Sequence, residues 1–164
     1  ASVCFPCIMY RGGAEQKIRK ALVDNNKTEC IIQLPANRFF GATISACIMV
    51  LKHSKATNDG LFSDASNEFV KVTNNNKLTE ENIEKIVAAF TARKDSEYFA
   101  KVVPNARIGS EEHNYNLSVS TYVEQKDTRE KVDIQKLNAE IAEIVAREQV
   151  LREEIDKIIQ EIEG

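Results

Sequence analysis

Apolar and polar positions divide this chain into strand-like runs, helical stripes and polar joints. Residues 1–9 form a short apolar run with Pro6 near its middle, read as a strand that ends or bulges at the proline. Arg11-Gly12-Gly13 turns the chain. From Ala14 onward, Ile18, Ala21, Leu22 and Val23 recur at helical spacing and predict an amphipathic helix that ends at Asp24-Asn25-Asn26. Residues 29–34 and 43–51 are continuous apolar runs, as expected of strands covered on both faces. Too few residues separate them for a helical crossover, so they are expected to pair antiparallel. Between them lies a polar, aromatic segment, Ala36-Asn37-Arg38-Phe39-Phe40-Gly41. His53 to Gly60 reads as a loop, 61–65 as one more short strand and 73–77 as a loop. Thr79 offers a capping hydroxyl and Glu80 and Glu81 early acids, ahead of the stripe Ile83, Ile86, Val87, Phe90. The pattern is weak from Arg93 to Glu112. Tyr115 to Val123 alternates like a strand, with Tyr115, Leu117 and Val119 on one side. Gln125 to Lys131 reads as a charged linker.

The last segment is a heptad repeat. Ile134, Leu137, Ile141, Ile144, Glu148, Leu151, Ile155, Ile158 and Ile162 alternate three and four residues apart. A helix over 134–163 would be about 45 Å long. A compact domain of this chain's length has a radius of gyration near ~15 Å, so such a helix protrudes or packs on a partner; the plainer alternative is a helix folded back on its own domain. Its eight aliphatic seam residues, Ile134, Leu137, Ile141, Ile144, Leu151, Ile155, Ile158 and Ile162, are the candidate partner-binding residues. Glu148 in that seam argues against a plain symmetric dimer, which would bring two carboxylates together. A heterologous partner either supplies a base or leaves the layer wet.

Composition narrows the chemistry only a little. The chain has 164 residues, 43% hydrophobic and 29% charged, which is ordinary for a globular protein. Its net charge of −3, with scattered positive charges, gives no basic footprint for nucleic acid. Nor does it exclude a small basic surface within a larger assembly. No run approaches the ~20 apolar residues of a membrane span. The start is too short for a secretory signal and has no basic leading region, and a first residue already inside a strand suggests a fragment. Cys4-x-x-Cys7 resembles half a zinc site or a redox pair, but zinc needs two more ligands and Cys30 and Cys47 have no partner at short spacing. All four thiols are therefore read as structural, no metal site is expected, and a cytoplasmic location follows.

His53 and His113 lie in polar loops without a paired nucleophile and are read as solvated. No Ser/His/Asp order or carboxylate pair stands out. Gly12-Gly13 before a helix offers backbone N–H groups to a phosphate, although a strand-to-helix turn explains the pair more simply. No Walker-type or GxGxxG loop exists in the chain. Phe39-Phe40, beside Asn37 and Arg38, offers a stacking face to a planar ligand such as a base taken out of a duplex. The plainer alternative is one ring plugging the sheet edge.

Several segments together resemble a known family. Arg11-Gly12-Gly13-Ala14-Glu15, Lys17-Ile18-Arg19, Leu34-Pro35-Ala36-Asn37, Phe39-Phe40-Gly41 and Ala46 to Leu51 are similar to the modification (M) subunits of type I restriction–modification systems. So are Phe62 to Ser66, Asn76 to Ile83, Asn114 to Ser118 with Tyr122-Val123, and the C-terminal heptad helix. Members of that family are DNA adenine-N6 methyltransferases that use S-adenosylmethionine.

The resemblance implies an α/β fold: the C-terminal part of a doubly wound, Rossmann-like methyltransferase sheet ending in an antiparallel hairpin. A helical region and the long heptad helix follow. The implied divisions are 1–72 for the catalytic-domain portion, 73–130 for a connecting region and 131–164 for a coiled-coil helix. The family's cofactor-binding glycine motif and its Asn-Pro-Pro-Tyr/Phe catalytic motif lie upstream. Neither occurs here, because Pro6, Pro35 and Pro104 are the only prolines and none are adjacent. The resemblance therefore assigns this chain no catalytic and no cofactor-binding residue, and the fragment alone is expected to be inactive. Phe39 and Phe40 match the aromatic that packs on the flipped base. The implied partners are the specificity subunit, docked through the heptad helix, the restriction subunit, and double-stranded DNA through the assembly, with no membrane. The alternative is a non-enzymatic interaction module that assembles through its C-terminal coiled coil.

Overall fold

The computed structural model describes residues 1–38, 43–72, 75–126 and 134–163. They fall into two compact units, Ala1–Lys126 and Asp127–Gly164. Among the described residues the strands are β1 (Ser2–Cys4), β2 (Thr28–Gln33), β3 (Cys47–Leu51), β4 (Asp59–Asp64), β5 (Val70–Val72), β6 (Asn75–Lys77) and β7 (Ala100–Pro104). The helices are α1 (Cys7–Tyr10), α2 (Ala14–Asp24), α3 (Glu80–Ala92), α4 (Asn105–Ile108) and α5 (Ile134–Glu163).

The first unit is built on a mixed sheet in the order β1-β3-β2-β4-β7. Only β2 and β4 run parallel, with Gln33 opposite Asp64, and the other neighbours are antiparallel. The continuous apolar character of β2 follows from cover on both faces. Ile31 faces a core with Met9, Val23, Phe62, Leu117 and Val119, while Cys30 and Ile32 face a second core with Leu61, Ile86 and Phe99. Phe62 is fully buried and packs on Tyr122 with ring centroids 4.3 Å apart. Each such side chain contributes about 1.5–3 kcal/mol through burial alone.

Several local readings of the sequence are corrected. The first strand stops at Cys4, and Pro6, with φ −57°, opens the helical turn α1. Proline's fixed φ suits a helix entry better than a strand centre. The alternating stretch 115–123 is not a strand. Asn114 and Tyr115 take left-handed φ values of 45° and 58°, and Val119–Thr121 is a 3₁₀ turn. The alternation survives as burial only, since Leu117 and Val119 plug the core. The loop read over 73–77 is in part β6, which pairs with β5. The weak region 93–112 contains β7 and α4. In α2 the apolar stripe is rotated: Ile18 is 60% exposed, whereas Arg19 is 2% exposed.

Helix α3 begins with a reciprocal cap. Asn82 N–H donates to the Thr79 hydroxyl at 3.3 Å and Thr79 N–H donates to Asn82 Oδ1 at 3.0 Å. It ends where Arg93 takes a left-handed φ of 46°. Arg93 there pairs with Glu29 of β2 at 2.6 Å and with Asp59 of β4.

The second unit is α5, one helix of 30 residues. Its described aliphatic residues, from Ile141 to Ile162, are 45–79% exposed. Arg152 pairs with Glu148 one turn earlier at 2.6 Å. No helix among the described residues is long and apolar enough to cross a membrane.

Candidate functional site

The two parallel strands end side by side, and that edge gathers polar groups on a rigid base. Leu34 N–H donates to Ala46 O at 2.8 Å and Ala65 N–H to Gln33 O at 2.9 Å, so the ladder runs to its last residue. Asp64 is buried there. Its Oδ1 accepts the Ser66 N–H at 2.9 Å and its Oδ2 lies 3.4 Å from Gln125 Nε2. The Cys47 thiol donates to Gln33 Oε1 at 3.0 Å. Burial pushes that thiol up to about 12, and nearby Cys4 and Asp64 push in the same direction. Cys47 is therefore a neutral donor rather than a nucleophile.

Beyond Pro35 the chain turns at Asn37, which has φ 54°. Asparagine tolerates this left-handed conformation better than most residues. Asn76 of β6 holds the turn twice: its Nδ2 donates to Ala36 O at 2.8 Å and its backbone N–H to Asn37 O at 2.9 Å. Phe39 and Phe40, the candidate stacking residues, lie outside the described residues. An open apolar groove of about 500 Å³ is lined by Val3, Phe5, Ile8 and Ile44 among others.

The remaining sequence candidates separate clearly. Gly13 has φ 82°, and a Cβ on Gly12 or Gly13 would meet nothing within 4 Å. The turn at Gly13 needs glycine for its backbone. His53 is exposed, but His113 is not solvated: it is 8% exposed and packs on Tyr122, ring centroids 5.2 Å apart. Its Nδ1 lies 3.6 Å from Glu112 Oε2 and makes no hydrogen bond.

All four cysteines are free. Cys30 and Cys47 are buried, Cys4 and Cys7 half-buried, and burial pushes the Cys30 thiol up to about 12. Among the described residues no group of three His, Cys, Asp or Glu side chains could hold a metal ion.

Along α5, Ile141, Ile144, Leu151, Ile155, Ile158 and Ile162 are exposed. Ile134 and Leu137 lie within the helix, but their side chains are not among those described. Sequence reasoning passed over Gln33, Asp64 and Asn76, because single polar residues in or beside a strand give no periodic signal. Long-range pairing of Asn76 with residues 36 and 37 is not visible in any short window.

A family model described as N-6 DNA methylase matches residues 1–131. The chain is 47% identical over 163 residues to the type I restriction enzyme MpnII methylase subunit of Mycoplasma pneumoniae, covering 99% of this chain and 30% of that protein. It is 38% identical to the MjaVII methylase subunit of Methanocaldococcus jannaschii, covering 95% of this chain and 27% of that one. The crystal structure of a type I restriction-modification methyltransferase subunit from Streptococcus thermophilus superposes with a TM-score of 0.71 at 39% identity, over 74% of this chain and 25% of that one. The chain thus spans under a third of the length of these relatives. With its mixed α/β sheet matching a type I methyltransferase subunit and the family model covering most of its length, the chain belongs to the N-6 DNA methylase family.

Proposed function

We propose that the chain is the C-terminal part of the modification subunit of a type I restriction–modification enzyme, which transfers a methyl group from S-adenosylmethionine to adenine N6 in DNA. The observation that carries this reading is the 47% identity to a type I methylase subunit along 99% of the chain. In this reading residues 1–72 carry most of the trailing portion of a doubly wound methyltransferase sheet, in which β2 and β3 pair as an antiparallel hairpin. Residues 73–130 lead on to the coiled-coil helix 131–164 and return β7 and a core-filling segment to the same sheet. The catalytic and cofactor-holding groups lie outside this chain, so the fragment alone is inactive.

The chain supplies part of the target-base pocket. An aromatic face packs on a flipped adenine and offsets the stacking lost when the base leaves the duplex. Phe39 and Phe40 fill that role. They follow a turn held by Asn76 at the edge where β2 and β4 end, which supports the assignment. Helix α5 docks the specificity subunit through its aliphatic stripe. The restriction subunit and double-stranded DNA are reached through the same assembly. The exposed stripe on α5 also favours a second reading, a non-enzymatic module that assembles through its coiled coil.

The test is methyl transfer from labelled S-adenosylmethionine to duplex DNA by the full-length protein purified with its specificity subunit. N6-methyladenine should appear in the digested DNA, and the 164-residue chain alone should produce none. Assembly without transfer would favour the interaction module, and label on cytosine would reject the adenine assignment.

A further inference from the structure

We propose that Arg38 and Lys71 form a phosphate-contact site for the sugar–phosphate backbone of duplex DNA. The inference rests on the modification-subunit reading above and adds a place where the DNA is held. Other cations of the first unit are engaged by acids: Arg93 by Glu29 and Asp59, Lys85 by Glu68, Lys101 by Asp95 at 2.8 Å and Lys20 by Asp24 at 3.1 Å. Among the described residues, Arg38 and Lys71 make no ion pair. Lys71 is exposed and Arg38 half-buried.

The fold brings these two cations to one place. Lys71 is the register partner of Asn76 in the β5–β6 pair, so the two residues share a face of the ribbon. Asn76 in turn donates its backbone N–H to Asn37 O at 2.9 Å and its Nδ2 to Ala36 O at 2.8 Å. Arg38 is the next residue. Lys71 and Asn37 are thus two strand spacings apart, about 10 Å, a span that two long cationic side chains bridge to one run of phosphates. The place adjoins the carboxyl ends of the parallel strands β2 and β4, where open α/β sheets present ligand crevices. Acids neighbouring in sequence are occupied. Glu68 accepts from Asn82 Nδ2 at 3.3 Å and pairs with Lys85, and Asp64 is buried and accepts the Ser66 N–H at 2.9 Å. Glu80 and Glu81 sit in the first turn of α3, whose N-terminal dipole offsets part of their charge. With a net charge of −3 the chain has no broad basic footprint, so a local pair of contacts serves to fix register on the duplex.

The test follows fluorescence anisotropy of labelled random-sequence duplex DNA across a salt series. The protein is the full-length modification subunit assembled with its specificity subunit. Losing one phosphate contact reduces the slope of log K against log salt by about 0.9. Arg38→Ala and Lys71→Ala should each do so, weakening binding roughly fivefold to tenfold near 0.1 M salt. Arg38→Lys and Lys71→Arg should keep the wild-type slope. Lys77, the register partner of Val70, lies on the opposite face of the ribbon. Lys77→Ala should therefore change the slope by less than half as much. Unchanged slopes in Arg38→Ala and Lys71→Ala would overturn the proposal. Equal losses in all three alanine variants would do so too, by showing a general field and no site. Loss of the specificity subunit on purification of Arg38→Ala or Lys71→Ala would make the face a protein contact instead. In each of these cases the modification-subunit reading stands as long as the wild-type assembly methylates adenine. If the wild type transfers no methyl group to DNA, that reading fails and the site falls with it.

Discussion

Arg19 Nε donates to the Tyr115 carbonyl oxygen at 2.8 Å, joining residues 96 positions apart. The same guanidinium donates through Nη1 to Ile8 O at 2.7 Å and to Arg11 O at 2.8 Å. One buried side chain thereby fastens α1, the turn into α2, and the segment around Tyr115, which holds a left-handed φ of 58°. Burial lowers the pKa of Arg19 from the ordinary arginine value, with Glu15 pulling the other way. Arg19→Met keeps an unbranched apolar stem but leaves three carbonyls without their donor. We expect a loss of about 3–5 kcal/mol in urea unfolding of the chain. Arg19→Lys should recover only part of it, because an ammonium lacks the planar fork. A loss under about 1 kcal/mol for Arg19→Met would remove Arg19 from the account.

Arg19 also marks where the sequence stops being legible. A helix from Ala14 could be read from spacing, but its inward face could not, because the buried position carries a guanidinium and the neighbouring isoleucine faces out. The continuous run of β2 was readable because that strand is covered on both faces, whereas the run expected over 43–51 is a strand only from Cys47, with Ile44 and Leu51 exposed. The stretch 115–123 was misread because alternation reports burial, and an irregular segment can plug a core with every second residue as well as a strand can. Helix α3 announced itself through Thr79, whereas the polar edge of Gln33, Asp64 and Asn76 is assembled by pairing across the fold and leaves no local pattern.

The thiols give a pH prediction. Burial pushes Cys30 and Cys47 from an ordinary value of 9.0 up to about 12. Between those values the unfolded chain has released protons that the folded chain still holds. Stability should therefore be level below pH 9 and fall as pH climbs toward 12. Tyr122, pushed from 10.0 to about 12 by burial, adds to the same alkaline limb. Under native conditions a thiol reagent at pH 8 should label Cys4 and Cys7 first, with Cys30 and Cys47 reacting only on unfolding. Peptide mass spectrometry reads this directly. Native labelling of Cys47 at the denatured rate would contradict its buried, neutral state.

Arg93 ties the C-terminal end of α3 to the sheet through Glu29 and Asp59, and Glu29 is 7% exposed. Removing the arginine alone strands a nearly buried carboxylate, so Arg93→Ala should cost about 3–5 kcal/mol. Adding Glu29→Gln to that variant should recover a substantial part, because the uncompensated charge is gone. Thermal melts of the two singles and the double close the cycle. Strict additivity would mean that Arg93 and Glu29 do not interact energetically.

The seam of α5 makes the final prediction. Ile141, Ile144, Leu151, Ile155, Ile158 and Ile162 are exposed, and an apolar stripe of that size marks an interaction surface. Glu148 interrupts it, but Arg152 on the same helix already neutralises the carboxylate at 2.6 Å. That pair needs no base from a partner and tolerates only a polar or wet layer opposite, which selects register and disfavours self-pairing. Replacing Leu137, Ile144 and Leu151 with Asp in the full-length subunit should abolish co-purification of the specificity subunit, and intact assembly would refute docking through this face. The converse change is more discriminating. Glu148→Leu with Arg152→Leu completes the stripe and should drive the chain toward concentration-dependent self-association in sedimentation equilibrium. A double variant that stays as wild type would show that the polar layer does not govern pairing, because an uninterrupted aliphatic seam would then have gained nothing by losing its charges.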